Sequence, residues 1–426
     1  MITFYKETNF KETLIGKIPK DWEIVKLKSR VDIETGKRIK GGALDKGTVA
    51  SIGGEHLDNE GNIRWDGMKF IPEYFYKSLK QGKVRLGDIL LVKDGATTGK
   101  VALVRSLRYK KVAVNEHVFV IRSKMHDLVN EFLFYFLFSR FGQIQIKTRF
   151  HGMIGGITRR DIETILITLP PLEEQEAIVR IFSTVDEAIQ KTNEIIEKTE
   201  RLKKGLMQEL LTKGIGHKEF KDTEIGRIPK EWNIVRLGKA LELCQYGLSI
   251  PMKNEGKYPI IRMDEIVDGY VSPKISKFVD LDEKTFKTFR LEKGDILFNR
   301  TNAYELVGRT GIFLLDGDYV FASYLIRLRP KPNMFDSHFL TYYLIFINKK
   351  LKRLATKAVH QANINATNLR KVKIPRPPLD EQRKIVKILL AVDKKLKMER
   401  AEKQRLEKIK QASMDLLLTG KVRVRV

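Results

Sequence analysis

Cysteine is almost absent. The one thiol in 426 residues, Cys244, excludes disulfides and any thiolate metal cluster, and it fits a reducing, cytoplasmic setting. Histidine is scarce: His56, His117, His126, His151, His217, His338 and His360 show no metal-ligand spacing. Long apolar runs are missing too. The longest, 132–138 and 342–347, are about a third of a bilayer crossing, so they read as buried helices, and no membrane partner is expected. No signal peptide is expected ahead of the repeat that opens at Thr13. Catalytic signatures are lacking. There is no Pro-Asp dipeptide to start the usual nuclease carboxylate set, and no Asn-Pro-Pro-aromatic or Asp-Pro-Pro-aromatic run for methyl transfer to adenine. The stretch 95–100 is one residue short of a phosphate loop, and Val101 stands where a magnesium-binding Ser or Thr belongs. The chain is therefore expected to be no enzyme by itself and to bind no metal or cofactor.

Acidic residues are the remaining deficit. Lys and Arg number 80 against 53 Asp and Glu, a net charge of +27, in a chain 42% hydrophobic and long enough for two or three cores. Placement matters more than the total. Residues 132–160 contain no acid yet carry Arg140, Lys147, Arg149, Arg159 and Arg160. In the second half, 337–379 is equally free of acid and carries Lys349, Lys350, Lys352, Arg353, Lys357, Arg370, Lys371, Lys373 and Arg376. Two such stretches at matching positions imply two footprints on a polyanion, and nucleic acid fits better than membrane because neither has a clean aromatic face.

What the chain does contain is a duplication. The stretch 170–214 opens Pro170-Pro171-Leu172-Glu173-Glu174-Gln175, and 207 positions on comes Pro377-Pro378-Leu379-Asp380-Glu381-Gln382. Proline in the first turn and acids at the positive end of the dipole mark two helix starts. The same offset relates Leu210-Leu211-Thr212 to Leu417-Leu418-Thr419. The first helix is predicted to present a heptad seam of Ile178, Ile181, Val185, Ala188, Thr192, Ile195, Thr199, Leu202 and Leu206. The second seam, Ile385, Ile388, Val392, Leu396, Leu406 and Ile409, is interrupted by the polar run 397–405. Each seam needs one partner helix, and the two are expected to pair with each other.

Ahead of each helix the pattern repeats as well. Gly16-Lys17-Ile18-Pro19-Lys20-Asp21-Trp22 answers Gly226-Arg227-Ile228-Pro229-Lys230-Glu231-Trp232, with Trp22 and Trp232 expected as domain anchors rather than base-stacking platforms. Strands are predicted at 49–52, 62–65, 87–92, 112–122, 294–298 and 319–329, and helices at 128–141 and 337–347. The scaffold repeats while the loops differ, and the loops carry Asn, Gln, His and Arg, whose forked groups suit base edges. The candidate DNA contacts in the first half are Lys37, Arg38, Lys40, Thr97, Thr98, Lys100, Arg149, His151, Arg159 and Arg160. In the second they are Gln245, Tyr246, Asn299, Arg300, Asn302, Tyr304, His360, Gln361, Asn363, Asn365 and Arg370.

The doubled G-x-I-P-x-x-W opening, Gly-Asp-Ile-Leu strand, PPL-[DE]-E-Q turn and long helix ending Leu-Leu-Thr resemble the DNA-specificity subunit of type I restriction-modification enzymes, over about residues 13–420. The resemblance implies an α+β fold of two β-rich target-recognition domains joined by two long helices in an antiparallel coiled coil. The expected boundaries are 1–168 and 216–374 for the domains, 169–215 and 375–420 for the helices, and 421–426 for a tail. It also implies double-stranded DNA as ligand, two adenine-N6 modification subunits and two ATP-dependent restriction subunits as partners, with S-adenosylmethionine, ATP and Mg²⁺ on those partners. A helix of about 40 residues rises about 60 Å, close to about 17 base pairs of DNA, so two half-sites with an unread spacer are expected. Two other readings stay open: a nucleic-acid-binding scaffold outside restriction, and a self-sufficient DNA enzyme with a divergent site.

Overall fold

The computed structural model describes residues 3–152, 155–302, 306–354, 356–358 and 361–425. The chain forms two compact units, Met1–Asn193 with Ala401–Val426 and Glu194–Arg400. The two long helices, Leu172–Lys213 and Leu379–Leu417, run through that division, so each unit holds part of both.

In the first unit, strands Val31–Thr35, Val118–Ser123, Ile89–Val92 and Val101–Leu103 hydrogen-bond in that order, all antiparallel. Their side chains alternate between two cores, as the twofold period of a strand requires. Ile89, Leu91, Phe119 and Ile121 join the helix Asn130–Phe138, while Leu90, Val92, Val118 and Val120 join the three-stranded sheet of Lys111–Val114, Val49–Ile52 and Lys69–Ile71. The second unit repeats this plan. Ile296, Phe298, Ile326 and Leu328 pack on the helix Ser337–Phe346, and Leu297 and Leu325 face away into a separate cluster with Phe321.

Four predicted elements are corrected. The single strand 112–122 is two, Lys111–Val114 and Val118–Ser123, in different sheets. Asn115 breaks it: its side chain takes the His117 N–H at 3.0 Å, and its carbonyl leaves no room for a Cβ on Gly36. The strand 319–329 is likewise split into Val320–Phe321 and Leu325–Pro330, where Gly247 plays the part of Gly36. Of 62–65 only an isolated bridge, Ile63 to Leu57, forms. The helix predicted at 128–141 stops at Phe138, because Ser139 turns the chain and caps the next helix, Arg140–Lys147.

Within each unit the long helices run antiparallel. Thr168 and Asp186 meet Leu418 and Lys410 in the first unit, and Lys203 and Gly214 meet Asp393 and Glu381 in the second. The seam is a heptad that keeps the predicted Ile178, Val185, Thr192, Thr199 and Leu206, but its alternate positions are displaced by one residue to Phe182, Ile189, Ile196 and Lys203, with Ile181 and Ala188 half-buried beside it. Ile195 and Leu202 face out, 39% and 55% exposed. Ile181-Phe182, Ala188-Ile189 and Ile195-Ile196 satisfy either phase; the larger ring decides, since Phe182 lies 4.8 Å from Tyr135. The second helix follows the same phase with Ile385, Leu389, Val392, Leu396, Glu399, Lys403, Leu406 and Lys410, leaving Ile388 and Ile409 outside. Its polar middle is held by ion pairs, Arg400 to Glu200 at 2.7 Å in one unit and Lys403 to Glu60 at 3.0 Å in the other.

The repeated Pro-Pro-Leu-acid-Glu-Gln turn is a latch. Glu174 accepts from the indole of the buried Trp22 at 3.1 Å, and Glu381 from Trp232 at 2.9 Å. Gln175 takes the Val129 N–H at 3.0 Å and donates to the Asp127 and Pro170 carbonyls; Gln382 treats Asp336, Met334 and Pro377 in the same way. Buried amides with both ends satisfied fix the angle at which each helix leaves its domain.

Candidate nucleic-acid interface

In the first unit four loops are tied together at one end of the central sheet. The backbone N–H of Lys93 donates to the His117 carbonyl at 2.9 Å, and its own carbonyl accepts from Ile157 at 2.7 Å. The His117 ring meets Asp94, and Arg38 lies 3.6 Å from Glu116. Residues 37–40, 93–100, 115–117, 149–152 and 155–160 thus share a rim.

Lys37, Arg38 and Lys40 are exposed on that rim. Thr97 and Thr98 are half-buried, and the Thr98 hydroxyl is engaged by the Gly95 carbonyl at 2.7 Å. Lys100 reaches the Leu57 carbonyl at 3.3 Å. Arg149 is committed inward: it donates to Thr164 Oγ1 at 2.9 Å and to the Gln145 carbonyl at 2.7 Å, clamping two short helices. His151 is exposed, 3.0 Å from Asp161. Burial alone would raise the Asp161 carboxyl, but hydrogen bonds from Thr158 and His151 outweigh it and leave its pKa below the ordinary value. Arg159 pairs with Glu163 at 2.9 Å. Arg160, exposed, has no partner among the described residues.

In the second unit the counterpart is a stack. The Arg300 guanidinium lies 4.8 Å above the Tyr246 ring, donates from Nε to the Ser323 carbonyl at 3.0 Å, and approaches Asn363 Oδ1 at 3.4 Å. The Tyr246 hydroxyl, on a ring 40% exposed, accepts from the Ala366 N–H at 2.8 Å. Exposed Asn365 caps the helix Ala366–Lys371, and exposed Arg370 reaches the Cys244 carbonyl at 3.0 Å. An arginine held over an aromatic face by its own hydrogen bonds is preorganised for a planar polar edge.

Other candidates land elsewhere. Asn299 is fully buried and spends its amide on the Leu306 carbonyl at 2.9 Å, so it shapes the loop from inside and does not reach out. Gln245 is held by the buried Arg327, whose counterpart in the first half is Val120. Asn302 and Gln361 lie on strands Thr301–Asn302 and Gln361–Asn363, which pair with each other. Tyr304 and His360 lie outside the described residues.

The acid-free stretches are not continuous footprints either. Residues 132–137 are buried, Lys350 bonds the Ile225 carbonyl at 3.2 Å, and Lys373 pairs with Glu224 at 2.5 Å. Sequence reading overlooked Asp94 with His117, and Arg327. A charged residue within a buried alternation was the available sign of Arg327; the pairing of Asp94 with a histidine 23 positions away had none.

No described helix is long and apolar enough to cross a membrane. Residues 19–201 and 229–408 match the family model described as the type I restriction modification DNA specificity domain. The type I restriction enzyme MjaVIII specificity subunit of Methanocaldococcus jannaschii is 31% identical over 437 residues, covering 100% of this chain and 98% of that protein. The EcoKI specificity subunit of Escherichia coli is 22% identical over 249 residues, 55% of this chain and 52% of that one. A crystal structure of the S subunit of a type I restriction-modification system from M. genitalium shares the fold, with a TM-score of 0.58 at 18% identity over 96% of this chain and 99% of that chain.

Proposed function

The chain belongs to the family of type I restriction-modification DNA specificity proteins, and from that premise we propose that it is the sequence-reading subunit of such an enzyme in the cytoplasm. Each recognition domain reads one half of a bipartite target in double-stranded DNA. The observation that carries this reading is the contrast between a repeated scaffold and unrepeated rims: Trp22 and Trp232 are latched alike, whereas Arg300 on Tyr246 has no likeness in the loop 93–100.

The chain supplies recognition and no catalysis. Two modification subunits dock on the helix pair and methylate adenine N6 using S-adenosylmethionine, and two restriction subunits add ATP- and Mg²⁺-dependent translocation and cleavage. The outward apolar residues Ile195, Leu202, Ile388, Met398 and Ile409, each more than a third exposed, favour such docking, because apolar residues on an exposed helix face are better covered than wet.

Exchanging residues 28–168 for the matching segment of a divergent relative is expected to change one half of the methylated target and leave the other intact. Methylation mapping of the co-expressed enzyme checks this, and a change in both halves contradicts the modular reading. Arg160→Ala is expected to weaken binding of all sequences by about three- to tenfold and to reduce the salt slope by about 1, as loss of a phosphate contact does. Arg149→Ala should lower the melting temperature and leave that slope unchanged. Salt-titrated binding of the assembled enzyme distinguishes the two.

A further inference from the structure

We propose that a lysine–aspartate–tyrosine knot, built once in each unit, fixes the register in which the long helices pair and so selects one spacer length between the half-sites. The inference rests on the DNA-specificity reading and adds residues that read no base.

In the first unit Lys410 of the second long helix is 9% exposed, and its Nζ lies 2.6 Å from Asp186 Oδ1 on the first. The hydroxyl of Tyr135, from the buried helix Asn130–Phe138, donates to Asp186 Oδ2 at 2.9 Å, and Arg105 reaches the same oxygen at 2.8 Å. In the second unit Lys203 Nζ lies 2.5 Å from Asp393 Oδ1, and Tyr342 and Tyr270 donate to Asp393 Oδ2 at 2.6 Å and 3.0 Å. Lys203 and Lys410, Asp186 and Asp393, and Tyr135 and Tyr342 are each related by the 207-residue offset of the repeat. The lysines also lie over the tyrosine rings, Lys410 at 5.8 Å from Tyr135 and Lys203 at 5.7 Å from Tyr342. Burial, reinforced by the Asp186 charge, pushes the Tyr135 phenol up to about 12, which keeps it a donor at neutral pH.

A seam of Ile, Leu, Val and Thr repeats every seven residues, so sliding one helix by a heptad exchanges one apolar contact for another. The knots remove that degeneracy. A slipped pair would bury an ammonium and a carboxylate apart from each other, in both units together. Each tyrosine belongs to a recognition domain, so the knot holds that domain to both helices at the same point.

The test uses the full chain co-expressed with its modification partner, offered a DNA library whose two half-sites are separated by every spacer over several base pairs. Wild type should methylate one spacer at least about tenfold over its neighbours. Lys203→Met with Lys410→Met fills the seam with apolar side chains of similar length. It should fold and keep both half-site sequences, but its preference should fall to about twofold. A folded double variant as strict as wild type overturns the proposal. Should the double variant fail to fold, Lys203→Met alone is read in the same assay, with a partial loss of strictness expected and unchanged strictness contradicting the proposal. A wild-type enzyme that methylates no two-part target overturns the specificity reading beneath it.

Discussion

Replacing Arg423 with alanine is expected to lower the melting temperature of the first unit by about 10 °C. Arg423 lies on the strand Val422–Arg425, which pairs antiparallel with Thr3–Lys6 and so ties the two ends of the chain together. It is 6% exposed, and its guanidinium serves three carboxylates: both oxygens of Glu174 at 2.8 Å, Asp21 at 2.8 and 2.9 Å, and Glu7 at 2.8 Å. Its carbon lies 5.4 Å from the centre of the Trp22 ring. Truncation would leave buried Glu174 beside two further acids without the guanidinium that pairs with all three. Breaking a buried pair from one side costs about 3–5 kcal/mol, and a unit of this size loses about 2–4 °C per kcal/mol.

The same cluster gives a pH signature. The Arg423 hydrogen bond holds the Asp21 carboxyl below its ordinary value; backbone N–H groups, Asn9 first, and then Arg423 do the same for Glu7. A depressed carboxyl stabilises the fold above its unfolded pKa, and that stability is lost as pH falls through the lower, folded value. The gap between wild type and Arg423→Ala should therefore be widest near neutrality and narrow on acidification below the ordinary carboxylate range. Thermal melts from pH 7 to pH 3 would show it; a gap independent of pH would mean that Arg423 acts through packing on Trp22 instead.

Deleting residues 192–198 and 399–405 together is expected to move the enzyme to a different set of targets. These are corresponding heptads between the two knots, so the seam keeps its phase and Asp186, Lys203, Asp393 and Lys410 all remain. Each helix loses about 10 Å of rise, which is about three base pairs of DNA at about 3.4 Å each. The preferred spacer should shorten by about that number while both half-site sequences stay the same. Activity on the original target should fall at least a hundredfold, because one domain cannot reach its half-site while the other is seated. A shortened pair that still prefers the original spacer would refute the idea that the helices act as a ruler.

The features legible in the sequence are those in which one residue does one structural job twice. Pro170 and Pro377 open helices, Glu174 and Glu381 take an indole N–H, and Gln175 and Gln382 stitch the turn. Such residues repeat because the geometry they serve admits few substitutes. One half of the seam, 178, 185, 192, 199 and 206, was legible; its alternate positions were not, since adjacent apolar residues at 181–182, 188–189 and 195–196 fit either face until Tyr135 chooses Phe182. The break at 115–117 was hidden because valines lie on both sides and only the approach of Gly36 shows why the chain must turn. Residue type alone marked Arg149 and Asn299 as candidates. Their commitments to Thr164 and Leu306 depend on contacts that composition does not encode.

The most direct measurement is to co-express the chain with its modification subunit in a host without competing adenine methylation and to map methylated adenines across the genome. Two short blocks of defined sequence, separated by a spacer of fixed length and undefined sequence, with methylated adenines confined to those blocks, is the predicted result. A single uninterrupted motif, or blocks found at many separations, would contradict two unlike readers held on one pair of antiparallel helices.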